Sequence, residues 1–449
     1  MAKGSIPLFS RFVRGGVKVP HNKNTASCQT VEMPCPDRVV IPMQQHIGAP
    51  CKVVVKPGDA VAVGDVIGEC TSYISAPVHA SVSGSVVRVM QVKLANGSSC
   101  DAVEIRSDGE MRVSKNVKKP SVTNKKELVE AVFNSGLVGL GGAGFPTHVK
   151  LDLSENDTVD TLIINCSECE PYITADHRCA LENTADIISG MVTVMRCLKI
   201  DRTIIGVEDN KPGAVRALSN AVKISPEPEC RNVEVKKLKT RYPQGDEKLL
   251  IKACTGRAVL MGQLPKDSGC IVMNISSVAF LGSYLKTGVP LIKKRITVDG
   301  SAISQPKNLI VPIGTLIGDI IEFCGGVKTP AYKLMYGGPM MGIALPNDRF
   351  PIIKNNNAIL AFGEKEAVLP EPTACIRCGR CAAHCPMHLI PEAVEKAVRL
   401  KDTVQLKKHS AEACIECGCC AYGCPAHRPL VQSMRVAKSL LKEAGSNGK

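Results

Sequence analysis

CIRCGRCAAHCP occupies residues 375–386 and CIECGCCAYGCP residues 414–425, and both follow one spacing, C-x2-C-x2-C-x3-C-P. In such a stretch three thiolates wrap one iron–sulfur cubane from a tight loop, while the fourth is carried onward to the other cluster. The spacing therefore assigns Cys375, Cys378, Cys381 and Cys424 to one 4Fe-4S cluster and Cys414, Cys417, Cys420 and Cys385 to a second. Two zinc sites would show separated C-x2-C pairs rather than uninterrupted quartets closed by proline. Cys419 is an additional thiol outside the ligand pattern. PEAVEKAVRLKDTVQLKKH (391–409) and VQSMRVAKSLLKEAG (431–445) read as helical, so the tail is expected to be a ferredoxin-like module passing single electrons.

Working outward, the 449 residues are 44% hydrophobic and 22% charged, the composition of a folded chain of several domains. No apolar run reaches the ~18 residues of a membrane span. The opening MAKGSIPLFSRFVRGG has no secretory pattern, so a reducing cytosol is expected, where 22 cysteines point to metal or redox chemistry before disulfides. The net charge of +14 is dispersed, and aromatics make up only 3%, which argues against nucleic acid as a partner.

GLGGAGFPTHVK (139–150) contains G-x-G-x-x-G as Gly139, Gly141 and Gly144. The usual dinucleotide fingerprint follows a strand, yet NKKELVEAVFNSGLV (124–138) has helical spacing, so that reading fails its context. A glycine-dense loop still brings backbone N–H groups close to a phosphate or a flat ring, with Lys150 as counter-charge. TLIIN (161–165) reads as a buried strand running into CSECEPYITADHR, whose Glu168 and Glu170 bind something polar or form a salt-bridged loop. RTIIGVED (202–209) and PGAVRALSNAVK (212–223) continue the α/β alternation.

GLGGAGFPTHVK, INCSECEPY, RYPQGDEK (241–248) and the two quartets together resemble the flavin- and NADH-binding subunit of respiratory complex I. With FVRGGVKVPHNKNTA at the start, the chain resembles more closely the RnfC family of membrane-bound ferredoxin:NAD oxidoreductase complexes. The resemblance implies non-covalent FMN, with Gly139, Gly141, Gly142 and Lys150 on phosphate and isoalloxazine and Gly144 in the same loop. Asn165, Glu168, Gly245, Asp246 and Asn274 fall at flavin-contacting positions, and Phe145, Glu170, Tyr242 and Glu247 on the NAD(H) side. Glu168, Glu170 and Glu247 are the carboxylates expected in the catalytic role. Leu140 and Ser167 depart from the complex I pattern, which has Arg and Asp there.

The implied fold class is multidomain α/β. An N-terminal extension (1–35) precedes a barrel-sandwich domain of biotinyl or lipoyl type (36–112) and a Rossmann-like FMN/NADH-binding α/β domain (113–295). A small β-grasp domain (296–350), a linker (351–365) holding Asn355, Asn356 and Asn357, and the helical two-cluster domain (366–449) follow. The hairpin CTSYIS (70–75) lacks the lysine of a carrier domain, so docking or structure is its expected role, and His79 reads as a turn residue. Function is expected to be hydride exchange between NAD(H) and FMN with relay through two 4Fe-4S clusters. The expected partners are integral-membrane and flavin-bearing Rnf subunits, with ferredoxin reached through one of them, at the cytoplasmic face of the membrane. The rivals are an NADH-dependent reductase feeding another acceptor, such as an amino-acid or cobalamin reductase, and a non-catalytic cluster-bearing scaffold.

Overall fold

The computed structural model describes residues 15–446; the first 14 residues of the N-terminal extension and residues 447–449 lie outside the described residues. At its centre four parallel strands lie in the order Val233–Leu238, Arg202–Glu208, Thr161–Cys166, Cys270–Asn274. Leu162 and Ile164 face one core, shared with helices Thr184–Leu198 and Ile275–Thr287. Ile163 faces the other, with Ile204, Leu250, Ile251 and Val272. An all-apolar strand is what a sheet covered on both faces requires. The two helices cross where Gly190 meets Gly282, whose missing Cβ would lie 2.0 Å from the Asp186 carbonyl.

The chain passes from Thr161–Cys166 to strands on one side and returns to Cys270–Asn274 on the other. Connections leaving adjacent strand ends in opposite directions open a crevice at the carboxyl edge of the sheet. Asn165 and Asn274 are register partners at that edge.

Before this domain, a four-stranded and a three-stranded sheet enclose Val39, Ile41, Ile67, Val82, Val103 and Ile105. The 70–75 hairpin docks on the central domain, where Tyr73 Oη donates to Asp152 at 2.6 Å and its ring meets His148 edge-on. His79 corrects the turn expectation: it is a buried residue of strand Val78–His79, and burial pushes its imidazole down to about 3.

Two expectations fail in the next domain. The expected linker, 351–365, contains strand Ala358–Phe362, buried along its whole length in a six-stranded sheet. It runs parallel to Lys293–Asp299 and antiparallel to Lys333–Tyr336. AILAF is a short unbroken apolar run, which as an internal strand buries both faces. The expected extension likewise supplies edge strand Thr30–Glu32, parallel to Lys307–Pro312.

In the tail, 391–409 is two helices, Pro391–Arg399 and Thr403–Lys408, broken where Lys401 turns to φ +52° and Asp402 caps the second. Val394, Ala397 and Leu406 pack on Met434, Ala437 and Leu441 of helix Leu430–Ser446.

Candidate functional site

The cysteines gather in crossed sets. Cys375, Cys378, Cys381 and Cys424 line a cavity of about 680 Å³, whereas Cys385, Cys414, Cys417 and Cys420, together with Cys419, surround a second space. Both quartets turn alike: Arg377 and Gly379 have φ +54° and +72°, and Glu416 and Gly418 have +55° and +82°. These turns aim backbone N–H groups at sulfur, from Arg377 to Cys375 at 3.4 Å and from Glu416 to Cys414 at 3.3 Å. Leu389 N–H donates to Cys385 at 3.3 Å. Backbone hydrogen bonds to sulfur at both sets, and at the outer set a space much wider than one ion, fit thiolates holding cubanes.

The two sets differ in depth. Cys375 and Cys378 are exposed, while Cys385, Cys417 and Cys420 are buried. Cys417 and the additional thiol, Cys419, share a buried cluster with Val17, Val19 and Tyr242, and Cys419 Sγ sits 3.8 Å from the Tyr242 carbonyl. The inner set therefore adjoins the α/β domain, and the outer set faces solvent.

The glycine loop follows helix Lys125–Asn134, as its sequence context anticipates, and lies over the sheet edge. Gly139 N–H donates to the Phe145 carbonyl and Gly144 N–H to that of Gly139, at 2.9 and 3.2 Å. Four separate regions hold it. Ser277 Oγ accepts from Leu140 N–H, Lys294 Nζ donates to the Leu140 carbonyl, Asn355 Nδ2 to that of Gly142, and Ile47 N–H to that of Gly144. Burial lowers the Lys294 ammonium to about 8. Gly142, at φ +121°, turns the place of its missing Cβ toward open space, with nothing among the described residues within 4 Å. Such a loop, glycine on its open side and clamped from behind, suits the close approach of a flat ring and its phosphate. The residues present thus fit FMN.

Around the loop, Asn274 touches the position of a Cβ on Gly141, caps its own helix through Ser276 and Ser277 N–H, and donates to Asp176 at 2.6 Å. Asn165 donates to the Gly245 carbonyl at 2.8 Å, and Asp246 caps helix Glu247–Thr255, with its carboxyl raised by burial. Lys150 pairs with Glu247 at 2.6 Å and donates to the Val272 carbonyl.

The two signature carboxylates divide. Glu168 accepts from Asp176 and His177 N–H, capping helix Ala175–Glu182, and burial raises its pKa. Glu170 accepts from Met340 and Met341 N–H at 3.0 and 2.8 Å, on the side of the inner cysteines. Tyr242 is buried, with its phenol beside the Glu170 carboxyl. Asp176, Lys294, Asn355 and Lys23, whose ammonium donates to the Glu168 and Glu170 carbonyls at 2.9 and 2.7 Å, escaped the sequence reading.

Burial lifts the Glu170 carboxyl from its ordinary 4.5 to about 7. Between those values the folded protein binds more protons than the unfolded chain, so stability falls as pH rises. Wild type is expected to lose stability relative to Glu170→Gln between pH 5 and 8. Urea midpoints of both proteins at the two pH values check this, and a constant difference contradicts it.

Comparisons with known proteins match each part of the chain to a domain family. Residues 132–282 match the family model for the Nuo51 FMN-binding domain, and 11–110 that for the RnfC barrel sandwich hybrid domain. Residues 295–344 match the SLBB domain and 374–427 the 4Fe-4S dicluster domain. The C subunit of the proton-translocating ferredoxin:NAD(+) oxidoreductase complex of Clostridium ljungdahlii is 41% identical over 97% of this chain and 95% of that protein. The C subunit of the Na(+)-translocating ferredoxin:NAD(+) oxidoreductase complex of Acetobacterium woodii is 40% identical over 95% and 96%. The NAD+-reducing [NiFe]-hydrogenase in its H2-reduced state shares the fold, with TM-score 0.50 and 18% identity over 71% of this chain and 61% of that one.

Proposed function

The chain belongs to the RnfC family of ion-translocating ferredoxin:NAD oxidoreductase complexes, and we propose that within such a complex its glycine-loop crevice is where pyridine nucleotide meets the electron relay. The observation that carries this reading is the packing of the inner cysteine set, through Tyr242, on the domain that holds the glycine loop. FMN and two 4Fe-4S clusters are its cofactors. When bound they would supply the chemistry, which is hydride exchange between NAD(H) and the flavin and single-electron relay through the clusters.

The protein's own groups bind and orient. Backbone of the 139–144 loop, with Gly141 and Gly142 on its open side, cradles the flavin, and Asn165, Asn274 and Asp246 hold the surrounding turns. Lys150, paired with Glu247, is assigned to the phosphate side of the flavin. Glu168 fixes the loop after the first strand, while Phe145, Glu170, Tyr242 and Glu247 are assigned to the nicotinamide side. Cys375, Cys378, Cys381 and Cys424 would ligate the outer cluster, and Cys385, Cys414, Cys417 and Cys420 the inner one.

Family membership implies the other subunits of the complex as partners. Among the described residues no helix is long and apolar enough to cross a membrane. We assign ion passage to integral-membrane subunits, place this chain peripherally at the cytoplasmic face, and route ferredoxin's electrons to it through flavin-bearing subunits. The exposed outer set supports that assignment as the exchange point with them.

Anaerobic reconstitution with iron, sulfide and FMN analysis is expected to give about eight irons and one flavin per chain. NADH should then bleach the flavin and reduce the clusters, followed by absorbance and EPR. A loaded preparation that responds to dithionite but not to NADH overturns the assignment.

A further inference from the structure

The segment just inside the described N-terminus runs between the inner cysteine set and the α/β domain and is bonded to both. Gly16 N–H donates to the His384 carbonyl at 2.8 Å, beside Cys385. The next residue forms a reciprocal bridge with Tyr242: Val17 N–H to the Tyr242 carbonyl at 2.9 Å, and Tyr242 N–H to that of Val17 at 3.0 Å. Consecutive amides thus tie a cysteine-bearing turn to the flavin domain. The space admits no side chain. Gly15 and Gly16 stand at φ +82° and +77°, and a Cβ on either would lie 2.5 Å from a carbonyl oxygen, that of Cys385 or that of Tyr242.

The same segment then grips the loop after the first parallel strand. Half-buried Lys23 sets its ammonium on the carbonyls of Glu168, Glu170 and Ile173, and Tyr172 N–H donates to the His21 carbonyl at 3.0 Å. Thr25 Oγ1 meets Thr174 Oγ1, and strand Thr30–Glu32 anchors the far end in the six-stranded sheet. One short stretch is therefore bonded to the turn carrying Cys385, to Tyr242, to the Glu168 loop and to a third domain.

We propose that residues 15–25 are a positioning strap that sets the separation between the inner cluster and the flavin-binding domain, with the Gly15 and Gly16 pair as its point of closest contact. This rests on the electron-transfer function proposed above. Electron transfer between fixed centres falls off exponentially with their separation, so a strap that fixes contact fixes the rate at which electrons leave the flavin domain.

The test uses the loaded protein and Gly15→Ala. After rapid mixing with NADH, flavin bleaching is expected at the wild-type rate and cluster reduction, read by EPR of frozen time points, slower than in wild type. Amide hydrogen exchange is expected to quicken in 384–389 and around Tyr242. Unchanged cluster reduction together with unchanged exchange overturns the proposal. Should Gly15→Ala lose iron, Val17→Ala, which keeps the glycine pair and trims the contact with Tyr242, is judged by the same two readouts. If NADH fails to bleach wild-type flavin, the functional reading falls, and exchange alone decides the strap, quickened amides supporting it and unchanged ones refuting it.

Discussion

Replacing Cys424 by alanine is expected to remove the iron held by Cys375, Cys378 and Cys381, although Cys424 belongs to the other quartet. Iron should fall from about eight to about four per chain, with the inner cluster's EPR signal intact. Cys385→Ala should do the converse and leave the outer signal. The cavity walls support this wiring, because Cys424 faces the first set and Cys385 the second. Combining variants separates it from a local arrangement. Two substitutions on one cluster should cost no more than either alone, whereas substitutions on different clusters should add. Cys378→Ala with Cys424→Ala should therefore keep about four irons, and Cys378→Ala with Cys385→Ala should keep almost none. The opposite pattern would mean that each quartet closes on itself. Cys419→Ala should keep all the iron.

Gly142→Ala is expected to empty the flavin site and leave the clusters filled. At φ +121° an alanine is strained by about 1–3 kcal/mol, and its methyl would project into the open side of the loop. FMN retention should weaken by tenfold or more, about 1.4 kcal/mol, while iron stays near eight. Strain alone is controlled by Gly97→Ala. That glycine stands at φ +86° in the turn between Gly84–Lys93 and Ser99–Ser107, with nothing within 4 Å, and is not part of the glycine loop. It should lose stability but no flavin. Equal FMN in Gly142→Ala and wild type, by fluorescence after denaturation, would remove the loop from the flavin site.

Legibility in the sequence followed the range of the contacts. The quartets could be read because three ligands of each cluster lie within seven consecutive residues, and the crossing follows from how the fourth leaves the loop. The glycine loop and the strand leading to Glu168 were equally local. Lys23 could not be read, because its partners lie 145 to 150 residues away and nothing around it differs from a surface lysine. Asn355 looked like connector and reaches Gly142 across 213 residues. Ala358–Phe362 was missed because five apolar residues after an asparagine run lack periodicity, and only the sheet supplies their two neighbours. The break at 400–402 was hidden by apolar spacing that continues across it, and depends on a capping aspartate and one left-handed residue.

The unequal depth of the two cysteine sets has a consequence at the bench. Dioxygen attacks a cubane where its sulfurs are reachable, so Cys375 and Cys378 offer the first point of corrosion and the set beneath Tyr242 the last. Material handled aerobically would pass through a half-depleted stage that still bleaches with NADH, and its metal stoichiometry would suggest a protein with one cluster. Glovebox purification is therefore a condition for counting the iron correctly.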